Sequence, residues 1–102
     1  MSVMMGLRLT VDPARLEEVA REKQEFIKEI SARSKEMGAI HHHRFMAGDG
    51  EVLVIDEWPS AEAFQAFFED QGEKIGALMG AAGVSNEPQP LFWHPMDTGD
   101  SF

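Results

Sequence analysis

The sequence predicts an α+β fold, a βαββαβ plait in which a four-stranded antiparallel sheet carries its helices on one face. Three stretches carry that prediction. Asp49-Gly50 accepts the positive φ angles of a tight hairpin loop, and β-compatible runs at 41–47 and 51–58 flank it. Directly after this hairpin, Phe64, Phe67 and Phe68 recur at i, i+3 and i+4, the stripe of a helix lying on a sheet. Upstream, alternation over 3–11 gives way to helical spacing over 13–37, so the strand-to-helix step occurs twice.

Taken in order, Val3, Met5, Leu7, Leu9 and Val11 alternate with Met4, Gly6, Arg8 and Thr10, the pattern of a half-buried strand. Asp12 caps the next helix, and Pro13 suits its first position because the missing N–H would be unpaired there anyway. Leu16, Val19, Ala20, Lys23, Phe26, Ile27, Ile30, Ser34 and Met37 mark one inward stripe, read as a single helix that Gly38 ends. In the hairpin, a two-residue loop sets Phe45 opposite Val54, His43 opposite Asp56 and His41 opposite Trp58. One face then carries His41, His43, Phe45, Val52, Val54, Asp56 and Trp58, and the other His42, Arg44, Met46, Leu53, Ile55 and Glu57. Pro59 ends the strand, and Ser60 caps a helix with Glu62 in its first turn. Gly72 interrupts it, and 73–80 places Ile75, Leu78 and Met79 on one side of a short helix or continuation. Residues 84–94 read as a last strand, which Pro88 and Pro90 confine to an edge or to its second half. This order is the ferredoxin-like plait, a single domain over 1–94 followed by a polar tail over 95–102.

A chain of 102 residues has room for one core. It has no cysteine, which removes disulfides and thiolate chemistry. The net charge is −9, and 13–37 holds six basic and six acidic residues, leaving three basic against twelve acidic elsewhere. That balance argues against nucleic acid and anionic membranes as partners. No basic leader or long apolar run is present, so a cytoplasmic protein without a membrane span is expected.

The chemistry-bearing constellation is the hairpin face with His41, His43, Asp56 and Trp58. An Asp opposite a His fixes one imidazole tautomer and raises its basicity, an acid/base pair, while Trp58 offers a flat apolar wall. The plain alternative is that these polar residues face solvent and Trp58 is core. A second alternative is a metal site, with His-x-His and a carboxylate on the neighbouring strand, but no further ligand is evident except the distant His94, and no metal is expected. Arg8 and Arg44 are candidates to hold an anionic oxygen, or else surface ion pairs, Arg44 with Glu57 or Glu51. Met4 and Met46 would make an adaptable lining for a flat apolar ligand, and the phenylalanines are read as core.

The strand ending in Asp56-Glu57-Trp58, followed by Pro-Ser-Ala-Glu-Ala-Phe over 59–64, resembles a segment of the antibiotic-biosynthesis-monooxygenase-like family, within the dimeric α/β-barrel superfamily. The resemblance implies a homodimer in which two open sheet faces meet, covering the face with Met4, Phe92 or Trp93 that is too apolar to leave wet. It implies an oxidoreductase that needs no cofactor, the pocket deprotonating a small aromatic substrate whose carbanion reacts with O₂. Trp58 matches the pocket tryptophan, and Val54 and Phe64 or Phe67 stand where such enzymes place a pocket Asn or Tyr. The haem-degrading branch is disfavoured, because 1–11 has no Asn and Phe67 and Ala77 stand near its Trp and His positions. Taken with the hairpin face, the candidate residues are His43, Asp56 and His41 for catalysis and Trp58, Val54, Phe45, Met4, Arg8 and Phe67 for the substrate. A non-catalytic small-molecule-binding or regulatory module is the alternative.

Overall fold

The computed structural model describes residues 2–40 and 43–100. Its elements run β1 (Val3–Thr10), α1 (Pro13–Glu22), α2 (Gln24–Glu36), β2 (Arg44–Gly48), β3 (Glu51–Trp58), α3 (Ala61–Asp70), α4 (Gly72–Ala82) and β4 (Leu91–Trp93). The strands form one antiparallel sheet in the order β2-β3-β1-β4, the ferredoxin-like arrangement. β1 and β3 pair along their full length, from Val3 opposite Trp58 to Thr10 opposite Glu51. They are the middle of the sheet and bury the alternating side chains Met5, Leu7, Leu9, Val52, Val54 and Trp58 against the helices.

The hairpin has the register that Asp49-Gly50 dictates. Gly48 faces Glu51, Phe45 faces Val54, and Gly50 takes the positive φ of 71° that the loop requires. β2 starts at Arg44, later than the predicted 41, and the segment ahead of it is tied to β3 by the Ile40 N–H donating to the Glu57 carbonyl at 2.9 Å. His41 and His42 lie outside the described residues.

Three expectations need correction. The predicted helix 13–37 is two helices, because Lys23 leaves helical geometry at φ −115° and ψ 39°. Backbone bonds from Lys23 to Val19 and from Ile27 to Lys23 continue across the bend, so it is a kink in one path. Lys23, placed in the inward stripe, is exposed at that kink. The phenylalanine helix breaks at Gln71, and Gly76 and Gly80 do not stop α4 from running 11 residues to a left-handed cap at Gly83. The last strand is reduced to its second half, as the prolines require. Ahead of it, the chain is held to β1 by the Asn86 side chain, whose Oδ1 accepts from Thr10 N–H and whose Nδ2 donates to the Arg8 carbonyl.

The caps are the predicted ones: Asp12 Oδ1 accepts from Ala14 N–H at 3.1 Å and Ser60 Oγ from Ala63 N–H at 3.1 Å. On the other face of the sheet, Met46, Leu53, Leu91 and Trp93 remain exposed. Trp93 lies across Gly6, where a Cβ would meet its ring at 2.5 Å, so glycine is what allows the indole to lie flat on β1. No helix among the described residues is long and apolar enough to cross a membrane.

Candidate active site

Between the inner face of the sheet and the helices lies a cavity of about 480 Å³. Its floor is Met5, Leu7, Leu9, Val52 and Val54, and its roof includes Ile27, Ile30 and Ser31 of α2 with Ile75, Leu78 and Met79 of α4. The wall is overwhelmingly apolar, which sets the class of molecule it can hold. His43 and Asp56 also line it, one immediately ahead of the edge strand β2 and the other on β3.

Alternation alone puts these two on the inner face, and antiparallel pairing puts them side by side. His43 Nδ1 meets Asp56 Oδ1 in a very short contact, with the carboxylate nearly buried and the imidazole about half exposed at 54%. A carboxylate without its proton only accepts, so an imidazole bonded to one carries its proton on Nδ1 and leaves Nε2 to take another. The hydrogen bond to Asp56 raises the pKa of His43 above its ordinary value, with burial opposing and the charge attraction adding to it. The Phe45 ring stands edge-on to the imidazole, with centroids 5.2 Å apart. Asp56 Oδ2 accepts from the indole Nε1 of Trp58 at 3.3 Å.

The other predicted residues are placed as follows. Val54, Phe45 and Phe67 line the same cavity. Trp58 is not among its lining residues: it is wholly buried at 0% exposure, packed on Phe64 and Phe67, and touches the site through Asp56. Met4 and Arg8 belong to the opposite face of the sheet and do not reach the cavity, a consequence of even numbering on β1. Met4 lies beside Trp93 and His94 there, and Arg8 forks onto both carboxylate oxygens of Glu51. His41 lies outside the described residues. Among those that are described, no group of three or more His, Asp or Glu gathers as a metal site would. The α2 and α4 roof was missed, because Ile27, Ile30, Ile75, Leu78 and Met79 read as ordinary core; Ser34 inside an apolar stripe was the one available signal.

No family model matches the chain, and no curated protein does. Solved structures do. A monooxygenase of Streptomyces coelicolor, solved with nanaomycin D, aligns with a TM-score of 0.70 at 19% identity, covering 95% of this chain and 89% of that one. SnoaB, a cofactor-independent oxygenase of Streptomyces nogalater, aligns at 0.64 and 19% identity over 98% of both chains. A dimeric ferredoxin-like protein from an uncultured marine organism aligns at 0.64 and 14% identity, covering 89% and 84%. At such identities the likeness is one of fold, and it spans almost the whole molecule: this chain has the ferredoxin-like α+β fold that these three structures share.

Proposed function

We propose that the protein is a cofactor-independent, monooxygenase-like enzyme acting on a small aromatic molecule that carries an ionisable hydroxyl. The observation that carries this is an apolar cavity of about 480 Å³ into which, among the described residues, one hydrogen-bonded imidazole–carboxylate pair, His43–Asp56, is set. The two oxygenases of the same fold support it. His43 Nε2 removes the hydroxyl proton, Asp56 stabilises the imidazolium formed, and the electron-rich anion reacts with O₂ directly. For a ring methylene flanked by such a system, CH₂ and O₂ give C=O and H₂O. One oxygen atom enters the product and the other leaves as water, so no external reductant is needed.

The cavity offers no arginine or lysine, so a phosphate or a second carboxylate on the ligand would lie unpaired in an apolar wall. Oxygen uptake with a hydroxyanthrone in metal-free buffer tests the reading. Uptake that falls at least about a hundredfold in His43→Ala and in Asp56→Asn supports it; uptake unchanged in both refutes it.

A binding module without turnover is the second reading, favoured by Val54, an aliphatic side chain where the resembled enzymes have a polar one. Saturable binding of the hydroxyanthrone with no uptake above the buffer rate would select it.

The exposed Met46, Leu53, Leu91 and Trp93 on the outer face further support a homodimer with these faces joined, an arrangement consistent with the dimeric neighbour of like fold. Sedimentation of Leu53→Arg, expected to shift to the monomer, checks it; a wild-type monomer at micromolar concentration contradicts it.

A further inference from the structure

We infer that Trp58 is the positioning residue of this site: its indole N–H, donated to Asp56 Oδ2, holds the carboxylate so that Oδ1 meets His43 Nδ1. Residues 56 and 58 are two apart and share a face of β3, so the indole reaches back along the strand to the carboxylate. Trp58 is itself clamped. Phe64 meets its ring edge-on with centroids 5.6 Å apart, Phe67 lies at 5.2 Å, and no part of the ring is exposed. A rigid donor therefore faces the carboxylate of a residue that is 7% exposed and that lines an overwhelmingly apolar cavity.

Each partner needs the other. Without Asp56, the indole N–H would be a buried donor with nothing to bond, and without the indole, Oδ2 would be a buried acceptor with none. A carboxylate with one idle oxygen turns about its χ2 toward water, and that turn takes Oδ1 off His43. The chain Trp58–Asp56–His43 thus assigns the tryptophan a part other than that of a wall against substrate, which agrees with its absence from the cavity lining. The inference rests on the reading of His43–Asp56 as the acid/base pair.

Replacing Trp58 by 3-benzothienylalanine tests it, because sulfur takes the place of the N–H while the bicyclic shape is kept. The readout is the pH titration of the His43 ring proton by NMR, assigned with His43→Ala and compared across wild type, Asp56→Asn and the analogue. Asp56→Asn is expected to bring the His43 midpoint down toward that of a free histidine. The analogue is expected to produce a large part of the same downward shift with little change in melting temperature. Trp58→Phe should lower the midpoint similarly while also melting earlier. An unchanged or raised midpoint in the analogue, with the Asp56→Asn drop intact, overturns the inference and leaves Trp58 a packing residue. A midpoint unmoved by Asp56→Asn overturns the pair itself, and the proposed function with it.

Discussion

α1 and α2 are consecutive amphipathic helices, yet they do opposite things. α1 buries Leu16 and Val19 on the sheet. The longer α2 buries no side chain at all, and its Ile27 and Ile30 face the cavity. α3 resembles α1, with Phe64 and Phe67 buried against Trp58. An apolar stripe therefore identifies the side of a helix that faces inward without saying whether side chains or space lie beneath it. The kink at Lys23 separates the two helices, and α2 is tied from its polar side: Arg33 to Asp70 at 2.8 Å and Glu29 to Lys74 at 3.5 Å.

The largest effect that would break this contrast is on stability. Phe64→Ala should cost about 3–5 kcal/mol in urea unfolding, because the ring is buried among Trp58, Phe67 and Phe92. Ile27→Ala should cost about 1 kcal/mol or less, since much of its side chain already faces empty space. Equal losses would mean that α2 packs as α1 does. Filling the space sharpens the test: Ile27→Trp should leave stability within about 1 kcal/mol of wild type and weaken hydroxyanthrone binding at least about tenfold by fluorescence titration.

A smaller effect is set by pH. The His43 pKa is raised in the folded chain by its bond to Asp56, so protonated His43 contributes stability that is fully present below the unfolded value of about 6.5. That contribution fades as pH rises through the folded value. The stability difference between wild type and His43→Gln should accordingly shrink from pH 6 upward across that window in urea unfolding, and a difference flat with pH would contradict the coupling. The smallest effect belongs to the tie of α2. Arg33→Gln should barely move the melting temperature, since the pair is exposed, while speeding amide exchange along 24–36.

Much of the fold was legible because its signals are local. Asp49-Gly50 set the hairpin register, Asp12 and Ser60 the helix starts, and even against odd numbering the two faces of the sheet. The kink at Lys23 carries no glycine or proline, so no residue type announced it. At the site, antiparallel pairing made the His43–Asp56 contact readable in advance. Met4 was read onto the open face and Arg8 shares it, yet both were offered to the ligand; the large odd-numbered side chains of β1 mark the face that lines the cavity. The role of Trp58 escaped because an indole reads as a wall until its N–H is seen to point at a carboxylate.

The central claim is that His43, coupled to Asp56, takes a proton from a ligand in the apolar cavity. Its most direct test is a spectrophotometric pH titration of a bound hydroxyanthrone under anaerobic conditions, where the anion accumulates without being oxidised. Bound to the wild-type protein it should ionise at a lower pH than when free, and in His43→Ala that shift should vanish. A ligand that ionises at the same pH bound and free, or one whose shift survives His43→Ala, would show that the pair does not act on it.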